Sequence, residues 1–125
     1  MATFTPTPII DPQFLSPVAV ALTLKPAGAA TVPSNYTYQI TVARVTNVSG
    51  APVSLTLWRV PAGAANDNQH LLVPGTVVIP AASAAAPWFD LTILWGIDLL
   101  PGAAIWAQAG AANALTINAD GLVIQ

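Results

Sequence analysis

The sequence predicts an all-β fold, an antiparallel β-sandwich of about eight strands preceded by an extended N-terminal arm. Twelve prolines and eight glycines recur every few residues, so no stretch longer than about ten residues keeps the apolar spacing of an amphipathic helix. Between them lie short runs rich in β-branched and aromatic residues, separated by turn residues at intervals of about 8–15. That spacing is typical of a sandwich or a barrel.

The chain of 125 residues is long enough for one domain, which would bury roughly two-thirds of its unfolded surface. We expect an extended arm at residues 1–16 and a β-sandwich domain at residues 17–125. Proline at positions 6, 8 and 12 removes backbone donors and favours an arm over a central strand. The arm also carries five large apolar side chains: Phe4, Ile9, Ile10, Phe14 and Leu15. We therefore expect it to dock on a neighbouring molecule, and its removal to leave a folded sandwich.

The longest predicted strand spans residues 36–47. Its apolar alternation breaks at residues 44–45, where a bulge would restore the apolar face. A tight turn at residues 49–50 then leads into a strand at residues 53–58, and we expect these two strands to form a hairpin. The other predicted strands span residues 18–24, 70–73, 76–79, 88–95, 104–108, 114–119 and 122–124.

Charged residues are unusually scarce, with three lysines and arginines and five acidic residues in the whole chain. A free-standing soluble domain usually has about 25–35 % charged residues on its surface, so we expect other subunits to cover much of this one. Three scattered positively charged residues do not form the positive patch that binds nucleic acid or an acidic membrane surface. No apolar run approaches the ~20 residues that span a bilayer. We therefore expect neither a nucleic acid nor a membrane as partner.

Residues suited to catalysis are nearly absent. His70 follows Asp67 by three residues, but we interpret it as a surface or edge histidine rather than part of a catalytic pair. One histidine with aspartates lacks the donor set of a catalytic zinc site. We interpret Asp90, Asp98 and Asp120 as turn residues that cap their own backbone. We expect a protein that is not an enzyme, with no catalytic residues, no metal and no cofactor.

The four tryptophans, at positions 58, 88, 95 and 106, admit two interpretations. They could form a platform on which sugar rings stack, or they could anchor the core or a subunit interface, each burying about 150–250 Å². We favour the anchor interpretation. The predicted interface residues are Phe4, Ile9, Ile10, Phe14, Leu15, Trp58, Trp88 and Trp106.

Several stretches of the chain resemble one class of proteins. They are ATFTPTP at residues 2–8, VTNVSGAPVSLTL at residues 45–57, LLPGAAIWAQA at residues 99–109 and GLVI at residues 121–124. In these turn-and-strand patterns the chain resembles small β-sandwich virion structural proteins of tailed bacteriophages. The resemblance implies a non-enzymatic component that cements a capsid or sits at the neck or tail. Members often have an acidic residue after the Pro-Gly turn, where this chain has Ala103.

The scarcity of charge predicts a structural subunit of an assembly, and the resemblance implies that this assembly is a bacteriophage virion, with the protein made in the host cytoplasm. We expect a capsid decoration (cement) protein that bridges and stabilises major capsid subunits, with the major capsid protein or other virion proteins as partners. A neck, collar or tail component and a carbohydrate-binding module for host attachment remain open alternatives. We further expect a homo-oligomer, a dimer or a trimer, and jelly-roll rather than immunoglobulin-like connectivity.

Overall fold

The computed structural model describes residues 3–125, and in this range it contains nine β-strands, two short 3-10 turns and no α-helix. The strands form two antiparallel sheets whose inner faces share one apolar core. The predicted all-β, two-sheet fold is confirmed. The strands are β1 (Phe4–Phe14), β2 (Val20–Ala21), β3 (Thr37–Asn47), β4 (Val53–Val60), β5 (Leu71–Ile79), β6 (Trp88–Asp90), β7 (Asp98–Leu99), β8 (Ala104–Ala109) and β9 (Leu115–Ile124).

The chain pairs with itself from its two ends toward its middle. The first sheet has the order β1-β9-β3-β6, with β7 also paired to β3, and the second sheet has the order β2-β8-β4-β5. Strand β1 therefore pairs with β9, β2 with β8, β3 with β6 and β7, and β4 with β5. The β4–β5 hairpin lies at the middle of this nested order, in the second sheet.

The core is apolar and consists mainly of aliphatic side chains from both inner faces. Alternate residues of each strand point inward, because neighbouring side chains on a strand face opposite sides of the sheet. The central strands contribute Tyr38, Ile40, Ala43, Val45, Val53, Leu55, Leu57, Ile105, Ala107, Leu115 and Ile117. Asn47 is the one polar residue buried among the described residues.

The segment expected to be a free arm is instead the edge strand of the first sheet. Its residues 1 and 2 lie outside the described part, and Phe4–Phe14 forms β1, antiparallel to β9. The side chains of Ile9, Ile10 and Leu15 are buried in this chain's own core, so they are not available to a partner, contrary to the prediction. The prolines are compatible with β1 because an edge strand needs ladder donors on one side only.

The predicted hairpin of β3 and β4 is wrong. These consecutive strands lie in different sheets, and each pairs with strands distant in sequence. The turn at residues 48–52 carries the chain from one layer to the other, and the Asn47 side chain is buried beneath it. Alternating patterns identify strands correctly but do not identify their partners, because inward-facing residues alternate in the same way in both sheets.

The bulge in β3 lies closer to its start than predicted. The register with β9 shifts between Ile40 and Val42, so Val42 faces outward while Ala43 and Val45 face the core. Gly121 pairs with Ile40 at this position, and a Cβ at Gly121 would overlap the carbonyl oxygen of Gln39. Glycine therefore allows the two backbones to approach closely at the bulge.

The remaining predicted strands differ from the observed ones in length. Two are shorter than predicted, and two pairs of predicted strands each form one continuous strand that contains a glycine. Residues 18–24 form a strand only at Val20–Ala21. The two runs predicted within residues 70–79 form one strand, β5 at Leu71–Ile79, and the two within residues 114–124 form β9 at Leu115–Ile124. Asp120 consequently lies within β9 rather than at a turn. Residues 88–95 form the short strand β6 and then a 3-10 turn at Thr92–Leu94.

Candidate functional site

Three of the predicted interface residues are exposed. Phe4 and Phe14 lie at opposite ends of β1 with 60 % and 53 % of their surfaces exposed, and Trp88 is 42 % exposed on β6. These side chains lie on the first sheet, at its two edges. Their role in an interface stays a prediction, and the structure leaves their surfaces free for it.

Trp58 and Trp106 form a cross-strand pair on the outer face of the second sheet. They are register partners in β4 and β8, and the row continues to Ala21 on β2 and Leu71 on β5. Directly opposed side chains on one face contact each other, and such a pair contributes about 0.2–1 kcal/mol. Trp58 is only 9 % exposed, so this pair stiffens the sheet rather than forming an open platform.

A second cluster of apolar side chains lies on the segment that covers the β3 edge of the first sheet. The backbone of this segment satisfies β3: Leu91 N donates to Ala43 O at 3.0 Å, and Gly96 N donates to Ile40 O at 2.6 Å. The buried anchors are Leu91 and Leu94, three residues apart, a spacing that aligns side chains in a 3-10 turn. The side chains left exposed are Trp88, Phe89, Ile93 and Trp95.

A shallow depression lies beside this segment, on the outer face of the first sheet. It has a volume of about 240 Å³ and is lined by Val42, Ala43, Arg44, Asn118 and Asp120. Arg44 Nε donates to Asp90 Oδ1 at 2.7 Å, and the guanidinium carbon lies 5.3 Å from the centroid of the Trp88 ring. The Arg44–Asp90 ion pair is half exposed, so it contributes little to the free energy of folding. Its effect is to fix the position of the Arg44 side chain.

A larger cleft of about 600 Å³ opens where the β4–β5 loop meets the turn after β7. Its charged groups are bound to the chain itself, since Arg59 Nη2 donates to Asp98 O at 2.6 Å and Asp98 Oδ1 accepts from Gln39 Nε2 at 3.0 Å. The remaining lining is largely apolar and consists of Pro61, Ala62, Gln69, His70, Leu71, Leu72, Leu100, Pro101 and Ala103.

His70 lines this cleft, and its bonds tie the β4–β5 loop together. Its Nδ1 lies 2.9 Å from Ala65 O and 2.9 Å from Asp67 Oδ1, while Asp67 Oδ1 also accepts from Gln69 N at 3.0 Å. No second base, nucleophile or cation is bonded to the ring among the described residues. The geometry therefore supports a contact that holds the loop together, with the Asp67 carboxylate as the one side-chain partner of the ring among the described residues.

We expect His70→Ala to lower the free energy of unfolding by at most about 1 kcal/mol, because it removes only the two partly exposed contacts of one ring nitrogen, to Ala65 O and Asp67 Oδ1. A thermal melt beside the parent protein measures this. Leu57→Ala is the contrasting control, since truncating a fully buried leucine costs about 2–5 kcal/mol. A loss from His70→Ala as large as that from Leu57→Ala would show that the loop bond is structurally central.

The titratable groups elsewhere give little chemistry to work with. Burial, and secondarily the neighbouring Tyr36, raises the pKa of Tyr38. In residues 3–125 no group of three or more potential ligand side chains converges on a metal position. Across the same residues no helix is long and apolar enough to cross a membrane.

The sequence analysis did not predict the Arg44–Asp90–Trp88 arrangement. It interpreted Asp90 as a turn residue that caps its own backbone, whereas Asp90 lies in β6 and binds Arg44. The residues lie far apart in sequence, and only the pairing of β3 with β6 places Arg44 opposite Asp90. It also did not predict the exposure of Phe89 and Ile93, because it predicted one strand over residues 88–95 where the structure has a 3-10 turn at Thr92–Leu94.

No protein family, curated protein or solved structure matches this chain.

Proposed function

We propose that this chain is a non-enzymatic structural protein of a bacteriophage virion, a capsid decoration protein that bridges and stabilises major capsid subunits. One observation supports it above the others: a surface with eight charged residues also exposes large apolar side chains on both sheets, among them Phe4, Phe14, Val78 and Trp88. Apolar surface left in water costs about 25 cal/mol per Å² relative to its burial, so contact with other subunits is favourable.

We infer that the sandwich is a jelly roll. The orders β1-β9-β3-β6 and β2-β8-β4-β5, with strands paired from the chain ends toward the β4–β5 hairpin, support this connectivity. A jelly roll has eight strands in two sheets, and the short strands β6 and β7 share one position beside β3. Viral capsid proteins are among the proteins that use this fold, although fold alone does not specify function.

The assembly surface that we propose is the β1 edge, defined as Phe4, Phe14 and the strand between them. The prolines at positions 6, 8 and 12 lack backbone donors, so a neighbouring strand cannot form a continuous ladder along this edge. Contact must therefore come from side chains, and Phe4 and Phe14 are the large apolar ones exposed on β1. The mechanism is mechanical: lateral apolar contacts between subunits resist the outward pressure of the packaged DNA.

We expect the purified protein to be a dimer or a trimer, with a mass two or three times the 12.8 kDa of one chain. Light scattering coupled to size-exclusion chromatography measures this at micromolar concentration. In Phe4→Glu/Phe14→Glu the charge would separate the subunits without lowering the melting temperature, because both side chains are exposed. Val78→Glu, an exposed position on β5, is the matched control. A stable monomer of the parent chain would contradict this prediction.

Copy number in the virion tests the location. A decoration protein would be present in hundreds of copies per particle, which quantitative mass spectrometry of purified virions measures against the major capsid protein. Six to twelve copies would instead indicate a neck, collar or tail component. Absence from purified virions would contradict the proposed function altogether.

A further inference from the structure

We propose that the depression beside Trp88 is a binding site for a neutral saccharide, a function beyond assembly. The site consists of Arg44, Asn118 and Asp120 in the depression, with Asp90 and Trp88 on β6 beside it. It combines an aromatic ring with planar polar side chains on one rigid sheet face. A sugar ring has the matching chemistry, since its C–H face packs on an aromatic ring and its hydroxyls both donate and accept hydrogen bonds.

The Trp88 ring is held in place before any ligand arrives. Trp88 and Asp90 lie on the same side of β6, where they are register partners of Thr46 and Arg44 on β3. Asp90 binds Arg44, and the Arg44 guanidinium in turn lies over the indole. A cation covers one face of a ring, and 42 % of the Trp88 surface remains exposed. A preordered ring loses less side-chain entropy on binding than a mobile one.

The polar groups of the depression have capacity left for a ligand. Arg44 uses Nε for Asp90, and its two terminal nitrogens have no partner among residues 3–125. Within the same residues the side chains of Asn118 and Asp120 make no hydrogen bond. These groups supply donors from Arg44, both donors and an acceptor from Asn118, and acceptors from Asp120. All three come from the central strands β3 and β9, which fix their spacing.

Charge and size narrow the ligand class. The two carboxylates of Asp90 and Asp120 outnumber the single cation Arg44, so the site repels acidic sugars and favours neutral ones. Sites for drug-sized ligands have volumes of about 300–1,000 Å³, so a depression of about 240 Å³ fits a single sugar ring. Trp88 does not line the depression and Arg44 covers one face of its indole, so a neighbouring ring of the same oligosaccharide would stack on the open face of Trp88. Further rings of an oligosaccharide would lie along the open sheet face.

The test uses the full chain and an array of neutral and acidic oligosaccharides, followed by ¹H–¹⁵N NMR titration with the strongest neutral binder. We expect neutral glycans to bind with a Kd near or below about 1 mM, which corresponds to about −4 kcal/mol. Trp88→Ala should weaken binding at least tenfold, and Asn118→Ala should weaken it several-fold. Glycans rich in uronic acids should bind at least tenfold more weakly than neutral ones.

Phe89→Ala is the matched control, because Phe89 is adjacent to Trp88 and equally exposed, at 40 %, but lies on the opposite side of β6. It should retain the parent affinity. Melting curves of all variants establish that each is folded. The proposal is overturned if no neutral glycan on the array binds, or if Phe89→Ala weakens binding as much as Trp88→Ala. It is also overturned if Trp88→Ala impairs only attachment to virions, since a protein partner would then cover the ring.

Discussion

Removal of residues 1–15 is expected to abolish folding of the sandwich, the reverse of what the proline pattern alone predicts. Strand β1 pairs with β9 from Phe4–Ile124 to Phe14–Thr116. The deletion also removes Ile9, Ile10 and Leu15, and burial of each such side chain contributes about 1.5–3 kcal/mol. Their combined contribution is a large part of the ~5–15 kcal/mol that keeps a domain folded. The truncated protein should be insoluble, or should lack a cooperative melt by circular dichroism.

Point variants test the same strand without truncation. Ile9→Ala should cost about 2–5 kcal/mol, because the side chain is fully buried. Phe4→Ala on the same strand is the control and should change stability by no more than about 0.5 kcal/mol, since Phe4 is largely exposed. A truncated protein that melts cooperatively within a few degrees of the parent would show that β1 is a detachable arm after all.

The second large effect is expected at Asn47, which holds the crossover between the sheets. Its Nδ2 donates to Ala51 O at 2.8 Å and to Ile79 O at 3.1 Å, and its Oδ1 accepts from Ser49 N at 2.8 Å and Ser49 Oγ at 2.7 Å. An asparagine side chain has two donor hydrogens and two acceptor positions, so all its capacity is used. Because Asn47 is 1 % exposed, water cannot replace these partners.

Asn47→Ala should lower the free energy of unfolding by about 2–4 kcal/mol, because an unsatisfied buried polar group costs about 1–3 kcal/mol and more than one would remain. Urea unfolding followed by tryptophan fluorescence measures the loss. Ser49→Ala should cost less, since it removes only the hydroxyl and leaves the amide bonds. Asn118→Ala on the exposed face is the control, expected within about 0.5 kcal/mol. A loss at Asn47 no larger than at Asn118 would contradict a structural role for the buried amide.

The fold class and several strands follow from local patterns in the amino-acid sequence. The spacing of proline and glycine excluded long helices, and the β-branched runs predicted β3, β4 and β8 within one or two residues. Secondary structure of this kind can be predicted locally, because the periodicity of a helix or a strand appears in the spacing of neighbouring apolar residues. The scarcity of charge is also visible in the sequence, and the structure adds which apolar side chains remain exposed.

The strand partners, the conformation of the N-terminal segment and both surface sites depend on contacts between distant parts of the chain. Proline at three positions is equally compatible with a free arm and with an edge strand, and only the presence of β9 beside it makes β1 a strand. Arg44 and Asp90 become neighbours because β3 and β6 pair across a separation of more than forty residues. Such pairings depend on which apolar faces bury each other best. That is a property of the whole chain, because the free energy of burial is gained only when both layers meet.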